Sequence, residues 1–349
     1  LVGSSRWAGV GMGLALLASG YWLLPQDGWV LIWTLLAGPV VLGLLLWVGC
    51  YVDPPPHPDE ALFSPRHPAH GSCLRVQIPD GDSLMPGLLL RPAPPSPLPS
   101  ADRTKKSAVC LIHGAGDTKT SFKWLLVEAL LAEGLTVLTI DLPGHGEYRQ
   151  RPLAYPDCLS AIPGALRFLR EQPGVERVGV VGISLGSALA LASLAQAKDP
   201  TGFNKPLGSI QAVAALETPI HLNYNKRLFY REMWHAFRAP VLGLLREITI
   251  KQMRQSWYTG GYVSRHKNTA EVIDLLKPLE QVGKLGEVPL LLVHGTRDSV
   301  APPAAGRALQ QAAPQATLIE VAGASHVTLT LMPKVNRLIA QWLRGKLGN

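Results

Sequence analysis

Three residues whose side chains could together carry out acyl transfer, Ser184, Asp298 and His326, occur in that order along the chain. A serine hydroxyl is a weak nucleophile until a histidine accepts its proton, and the histidine needs a carboxylate that orients its ring. Ser184 lies at the centre of the pattern G-x-S-x-G, formed by residues 182–186. Between a strand and a helix, this pattern predicts a sharp turn that lifts the hydroxyl off a sheet. The three residues therefore predict a nucleophile, an orienting acid and a general base.

The residues around Ser184 predict the strand and the helix that such a turn requires. A run rich in valine precedes it at 177–181, and a stretch of small residues follows it at 187–197. Glycines two residues away on either side allow the strand and the helix to pack closely. The amide of Leu185 then lies at a helix N-terminus, where backbone donors face negative charge. We therefore expect Leu185 to supply one donor of an oxyanion hole.

Asp298 and His326 each follow an apolar run that predicts a buried strand. These runs are residues 288–295 before the aspartate and residues 316–321 before the histidine. Open α/β sheets build their sites beyond the C-terminal ends of their strands. We therefore expect both side chains to lie at the same edge of the sheet as Ser184.

Glu217 is an alternative to Asp298 as the orienting acid, since it follows the predicted strand 209–216. Asp298 is preferred because its turn contains a glycine and ends at a proline. One helix and one strand also separate Asp298 from His326, as expected for an acid that precedes its histidine. The two alternatives share the same nucleophile and base and differ only in the acid.

A second oxyanion donor is predicted in the loop that follows the buried run 107–112. This loop begins with His-Gly-Ala-Gly at residues 113–116, and its small residues allow a backbone amide to turn toward the serine. We expect the donor to be Ala115, with Gly116 as the alternative. His113 is interpreted as structural, because it precedes the G-x-S-x-G turn in the chain rather than following it.

Together these motifs resemble those of serine hydrolases of the α/β-hydrolase superfamily, from about Cys73 to the C-terminus. The matching segments are His113 to Gly116, Asp141 to Gly146, Gly182 to Gly186, Gly295 to Asp298, and Ser325-His326. The resemblance implies an α/β-hydrolase fold with a mostly parallel eight-stranded sheet and helices on both faces. The predicted acyl transfer requires no metal or organic cofactor. The resemblance also implies that the D-x-x-G-H-G loop at 141–146 is architectural, so that His145 braces it. Serine at position 184 argues against epoxide hydrolases and dehalogenases, which resemble this fold but have aspartate there.

The N-terminal region, residues 1–52, predicts a transmembrane hairpin of two helices. Residues 7–24 and 29–51 carry no charged side chain, and each reaches the ~18–20 residues that span a bilayer core. Tryptophan and tyrosine lie near their ends, as is typical at membrane interfaces. A cleaved signal peptide is the alternative for the first segment, and a buried core helix for the second. Arg6 before the hairpin favours a cytoplasmic location for both the N-terminus and the catalytic domain.

The rest of the chain divides into a linker, a core and an insertion. Residues 53–72 are a proline-rich linker, residues 73–218 and 286–349 form the hydrolase core, and residues 219–285 predict a helical cap. The cap holds eleven Lys and Arg but only five Asp and Glu. This excess of positive residues accounts for most of the formal net charge of +8 of the chain. Interleaved aromatic residues suggest contact with anionic headgroups or an amphiphilic acyl substrate. Ordinary helix surfaces are also charged, however, so this pattern alone leaves both interpretations open.

The sequence predicts a membrane-anchored serine hydrolase that cleaves a carboxylic ester through an acyl-enzyme on Ser184. We expect a small-molecule or lipid ester as substrate, and the membrane as a partner. A serine aminopeptidase-type peptidase or a thioesterase would use the same three residues, and a degenerate hydrolase domain acting as a scaffold is the non-enzymatic alternative. No nucleic-acid-binding module is recognisable. The four cysteines show neither metal-site nor disulfide spacing.

Overall fold

The computed structural model describes eight segments of the chain, namely residues 70–93, 106–120, 124–197, 210–223, 227–228, 231–232, 234–235 and 261–348. The predicted transmembrane helices at 7–24 and 29–51 lie outside these residues, as do residues 236–260 of the predicted cap. Within the described segments, no helix has the length and apolar character needed to cross a membrane.

The described core alternates strands and helices. Its strands are β1 His70–Asp80, β2 Ser83–Pro92, β3 Lys106–Ile112, β4 Thr136–Ile140, β5 Val175–Ile183, β6 Ala212–Leu216, β7 Leu290–Gly295 and β8 Thr317–Val321. Its helices are α1 Trp124–Ala132, α2 Ala161–Arg170, α3 Leu185–Ala197, α4 Thr269–Leu276, α5 Pro278–Val282, α6 Pro303–Ala312 and α7 Pro333–Gly348. Short 3-10 turns interrupt the loops at Gly146–Tyr148, Asp157–Ser160, Gly283–Leu285 and Leu329–Leu331.

All eight strands form one sheet in the order β1-β2-β4-β3-β5-β6-β7-β8. β2 is antiparallel to both of its neighbours, and the pairs from β4 through β8 are parallel. The mostly parallel eight-stranded sheet predicted from the sequence is therefore confirmed. β1 begins at His70, inside the predicted linker, because its first residues pair with the end of β2, His70 opposite Pro92.

The two faces of the sheet carry separate hydrophobic clusters because successive side chains of a strand point in opposite directions. In β3, Ala108, Cys110 and Ile112 contribute to one cluster, whereas Val109 and Leu111 contribute to the other. Helices α2 to α6 supply residues to the first cluster, and α1 and α7 to the second. Both faces are thus covered, as a parallel sheet requires.

The last part of the predicted cap packs into this core. In α4, Val272, Ile273 and Leu276 are fully buried in the same cluster as residues of α3. Asn268 caps the N-terminus of α4 by accepting a hydrogen bond from the Glu271 amide. This end of the insertion therefore extends the helical layer beside the sheet.

Candidate active site

Ser184 is the single residue between the end of β5 and the start of α3. Its φ of 52° lies in the left-handed region, which a non-glycine residue adopts only under strain. A Cβ on Gly182 would lie 2.5 Å from the Ser187 Cα, and one on Gly186 would lie 2.3 Å from the His113 carbonyl oxygen. The two glycines are therefore required by close backbone contacts that no larger residue would permit.

Backbone hydrogen bonds hold this strained turn in place. The Ser184 amide donates to the carbonyl of Leu216 in β6 over 2.9 Å. The Ser184 carbonyl accepts from the hydroxyl of Ser187 over 2.6 Å and from the Ser187 amide over 3.0 Å. The backbone of Ser184 is thus fixed on both sides of the turn.

The structure brings the three sequence-predicted residues into one hydrogen-bonded chain. The Ser184 hydroxyl lies 3.0 Å from Nε2 of His326, and Nδ1 of His326 lies 2.8 Å from Oδ2 of Asp298. A neutral imidazole that donates from Nδ1 to the carboxylate has Nε2 free to accept the serine proton. The geometry is that of a nucleophile, a base and an orienting acid.

The carboxylate of Asp298 is fixed by the turn that carries it. Its Oδ1 accepts hydrogen bonds from the amides of Val300 and Ala301 over 2.8 and 2.7 Å. Its Oδ2 is then directed at His326, and the aspartate is 3% exposed. The glycine- and proline-containing turn noted in the sequence therefore positions the acid through its own backbone amides.

Glu217, the alternative acid, also lies at this edge but does not take the position of Asp298. It follows β6 with a φ of 52°, and its amide donates to the Val293 carbonyl over 2.8 Å. Its carboxyl group lies within 4.8 Å of the ligand atoms of Asp298 and His326. Its Oε1 is buried and has no hydrogen-bond partner among the described residues. Asp298, not Glu217, is the acid bonded to the imidazole.

Burial and the surrounding charges together raise the pKa values of Glu217 and His326. Burial raises the pKa of Glu217 well above 4.5, an effect that His326 opposes and that Asp298 and other nearby carboxylates reinforce. Burial by itself lowers the pKa of His326, but the charges of Asp298 and Glu217 outweigh it and raise that pKa to about 10. A positive charge on the imidazole is therefore stabilised, as base catalysis requires once the serine proton has moved.

The three ligand atoms of Glu217, Asp298 and His326 are close enough together to hold a metal ion. However, Nδ1 of His326 and Oδ2 of Asp298 are bonded to each other, and Nε2 faces Ser184. The arrangement therefore fits proton transfer better than metal coordination.

Glu232, a residue that the sequence did not single out, contacts both loops of the site. Its Oε1 accepts from the amide of Ser299 over 2.6 Å, and its Oε2 accepts from the amide of His326 over 3.1 Å. Neighbouring Arg231 donates from Nε to the hydroxyl of Ser299 over 2.6 Å. Glu232 is 1% exposed. No feature of the sequence distinguished it from the other charges of the predicted cap.

The predicted oxyanion donors lie on two segments beside Ser184. Leu185 is the first residue of α3, so its amide is among those with no partner inside the helix. The loop after β3 passes close by, since a Cβ on Gly114 would lie 3.4 Å from the Ser184 Cβ. Ala115 follows directly in the turn, and Gly116 has a φ of 76°. Their role in binding an oxyanion stays a prediction.

The two other histidines of the motifs make structural contacts. His113 is buried, with Nδ1 2.7 Å from the Gly114 carbonyl and Nε2 accepting from the Leu142 amide over 3.0 Å. His145 lies 2.9 Å from the Pro143 carbonyl through Nδ1, and its ring stacks on Tyr262 at 4.2 Å. Both rings brace loops, in agreement with their interpretation from the sequence.

A model of the alpha/beta hydrolase family matches residues 109–335, which is more than half of the chain. The chain therefore belongs to the alpha/beta hydrolase family. The matched region includes the G-x-S-x-G turn, Asp298 and His326.

Among characterised relatives, the pimeloyl-[acyl-carrier protein] methyl ester esterase of Neisseria meningitidis is 27% identical over 246 residues, covering 64% of this chain and 88% of that protein. An uncharacterized protein of Mycobacterium tuberculosis is 39% identical over 84 residues. That match covers 24% of this chain and 24% of the mycobacterial protein, so the chain matches only about a quarter of its length.

Solved structures share the fold at low sequence identity. The 2,6-dihydroxy-pseudo-oxynicotine hydrolase has a TM-score of 0.56 and 20% identity, over 79% of this chain and 68% of that one. Est1E from Butyrivibrio proteoclasticus, solved with ferulic acid, has a TM-score of 0.53 and 15% identity, over 78% and 100%. These similarities concern the fold alone.

Proposed function

We propose that this protein is a serine hydrolase that cleaves a carboxylic ester through an acyl-enzyme on Ser184. The observation that carries the proposal is the continuous hydrogen-bonded chain from the Ser184 hydroxyl through His326 to Asp298. The strained backbone of Ser184 is a second support, because residues held in such conformations cluster at active sites.

In the proposed reaction, His326 takes the proton of Ser184 as the serine oxygen attacks the ester carbonyl. Asp298 keeps Nδ1 protonated and stabilises the imidazolium that forms. The amides of Leu185 and Ala115 hold the oxyanion, each contributing roughly 3–4 kcal/mol to lowering the barrier, as in other hydrolases. The imidazolium then protonates the departing alcohol. Water, deprotonated by the same histidine, attacks the acyl-enzyme and releases the acid.

An ester is favoured as the substrate because one relative is named as a methyl ester esterase, and the match covers 88% of that protein. The predicted transmembrane hairpin at 1–52 and the basic, aromatic-rich insertion at 219–285 further suggest a lipid-derived ester delivered from a membrane. Membrane anchoring with the catalytic domain on the cytoplasmic side is part of the proposal.

Labelling with a fluorophosphonate tests the nucleophile. Ser184→Ala is expected to abolish both labelling and hydrolysis of a short p-nitrophenyl ester. Ser193→Ala is the matched control, because Ser193 lies on α3 and its buried hydroxyl has no partner among the described residues. The control should retain wild-type activity. Full labelling of Ser184→Ala would rule out the assignment.

A substrate panel tests the class of bond. The full chain is compared with a form lacking residues 1–52 on p-nitrophenyl esters of increasing acyl length, acyl thioesters and aminoacyl arylamides. We expect ester turnover to dominate, and turnover of insoluble long-chain esters to fall when the N-terminal region is removed. Faster cleavage of arylamides or thioesters would instead favour a peptidase or a thioesterase.

A further inference from the structure

The turn after β7, which carries Asp298, and the loop after β8, which carries His326, are joined by one side chain from the insertion. Glu232 accepts from the amide of Ser299 through Oε1 and from the amide of His326 through Oε2. Both amides belong to the site itself, one directly after the acid and one in the base.

We infer that Glu232 is a positioning residue, which sets the distance between the acid and the base. The inference rests on the proposed hydrolase function and extends it. The insertion would then control catalysis through this residue, because the acid and the base reach their working separation only when Glu232 is in place.

Two features separate Glu232 from an ordinary surface charge. It is 1% exposed, although a buried carboxylate is costly unless hydrogen bonds satisfy it. Its two oxygens meet two amides from separate loops, 67 and 94 positions away in the chain. A carboxylate that bridges two loops fixes their spacing as a single amide contact could not.

Arg231 strengthens the same connection from the adjacent position. Its Nε donates to the Ser299 hydroxyl over 2.6 Å, so two consecutive residues of the insertion contact one residue of the acid turn. The carboxylate of Glu232 also adds to the negative charge that faces His326, together with Asp298 and Glu217. Glu232 therefore acts on the base through both geometry and charge.

The test compares Glu232→Ala with Glu232→Gln. Alanine removes both acceptors, and we expect kcat for a p-nitrophenyl ester to fall about 100-fold, the scale of a misplacement near 1 Å. Glutamine keeps one acceptor oxygen, and we expect a loss of roughly tenfold. Because Glu232 is not expected to contact the substrate, KM should change little in either variant. Activity is normalised to fluorophosphonate-reactive sites, so that unfolded protein is not counted.

The pH profile of kcat/KM is a second measurement, because a merely structural role of Glu232 would leave it unchanged. Glu232→Gln removes a negative charge facing His326, which lowers the pKa of the imidazole. The acid limb of kcat/KM should therefore move to lower pH. Glu280→Gln is the control, since its side chain is 61% exposed on the same insertion and pairs only with Lys277 among the described contacts. It should match wild type in rate and profile.

The outcomes separate the two proposals. If wild type reacts with the fluorophosphonate and both Glu232 variants have wild-type kcat per reactive site, the inference is wrong while the hydrolase function stands. If wild type itself does not react, the hydrolase proposal fails and the role of Glu232 falls with it. If Glu232→Ala does not fold, the graded loss and shifted profile of Glu232→Gln decide the question.

Discussion

A carboxylate oxygen of Glu217 and a ring nitrogen of His326 lie within 4.8 Å of each other. Asp298 already occupies Nδ1 of the ring, so Glu217 is a second acid beside the same base. Beyond the effect of burial, His326 lowers the pKa of Glu217, and an ionised Glu217 raises the pKa of His326. When the proton resides on Glu217, His326 is left neutral and can act as a base.

Replacing Glu217 by glutamine is expected to shift the pH dependence of hydrolysis. An ionised Glu217 raises the pKa of His326, so its removal lowers that pKa, and His326 becomes neutral at lower pH. Because the neutral imidazole is the active form, the acid limb of kcat/KM should move to lower pH. The profile is measured with a neutral ester from about pH 5 to about pH 11, so that it spans the raised pKa of His326, which is about 10.

Glu280→Gln again serves as the control for this experiment, because its carboxylate is exposed and pairs with Lys277. It should leave the acid limb in place. An unchanged limb in Glu217→Gln would show that Glu217 stays neutral over the whole range and does not influence the base.

Asp298→Asn is expected to lower kcat far more than any change at Glu217. The asparagine Oδ1 can still accept from the amides of Val300 and Ala301, so the turn should persist. Its NH₂ group would face Nδ1 of His326 and favour the tautomer that carries a proton on Nε2. That tautomer cannot take the serine proton, and losses of about 10⁴-fold are typical of this change in other hydrolases.

The comparison of the two acids is made by single-turnover hydrolysis at a pH where wild type is fully active. Glu217→Gln should retain at least a tenth of the wild-type rate, on the order of one lost hydrogen bond or less. A larger loss of rate in Glu217→Gln than in Asp298→Asn would assign the orienting role to Glu217. It would contradict the assignment of Asp298 as the orienting acid.

The parts of this protein that could be predicted from its sequence are those with a local physical signature. Gly182 and Gly186 mark the turn at Ser184 because backbone atoms occupy the space of any larger side chain. Asp298 and His326 follow apolar runs that end at the functional edge of a parallel sheet. Residue type, order and flanking strands were therefore sufficient for the proposed catalytic residues.

The parts that escaped prediction depend on contacts between distant positions. Glu232 looked like one charge among many, and only the fold shows that its partners are Ser299 and His326. Lys119 similarly gave no signal, although it is 5% exposed and pairs with Asp141. The same residue type can be a buried charge or a solvated one, and tertiary packing decides which it is.

Gly186→Ala is expected to destabilise the fold and abolish activity together. The new Cβ would lie 2.3 Å from the His113 carbonyl oxygen and 2.6 Å from that of Ile112, and backbone atoms cannot move aside cheaply. We expect unfolding to become easier by at least about 2 kcal/mol, as for overpacked cores. Urea denaturation measures the loss.

Gly345→Ala is the matched control, because its Cβ would meet nothing within 4 Å and it lies inside α7. Alanine there should be neutral or stabilise the protein by about 0.5–1 kcal/mol, through helix propensity. A Gly186→Ala protein as stable and active as wild type would contradict the tight turn described here.

Lys119→Met is expected to destabilise the protein by about 3 kcal/mol or more, because it leaves the Asp141 carboxylate buried without its cation. Lys119 Nζ lies 2.8 Å from Oδ2 of Asp141, and both side chains are buried.

Arg307→Ala is the control, because it breaks an ion pair with Glu320 in which the arginine is 55% exposed. Its expected cost is below about 1 kcal/mol, because water and salt screen such pairs. Urea denaturation of both variants measures the difference. Equal costs would mean that the pair between Lys119 and Asp141 contributes no more than a surface contact.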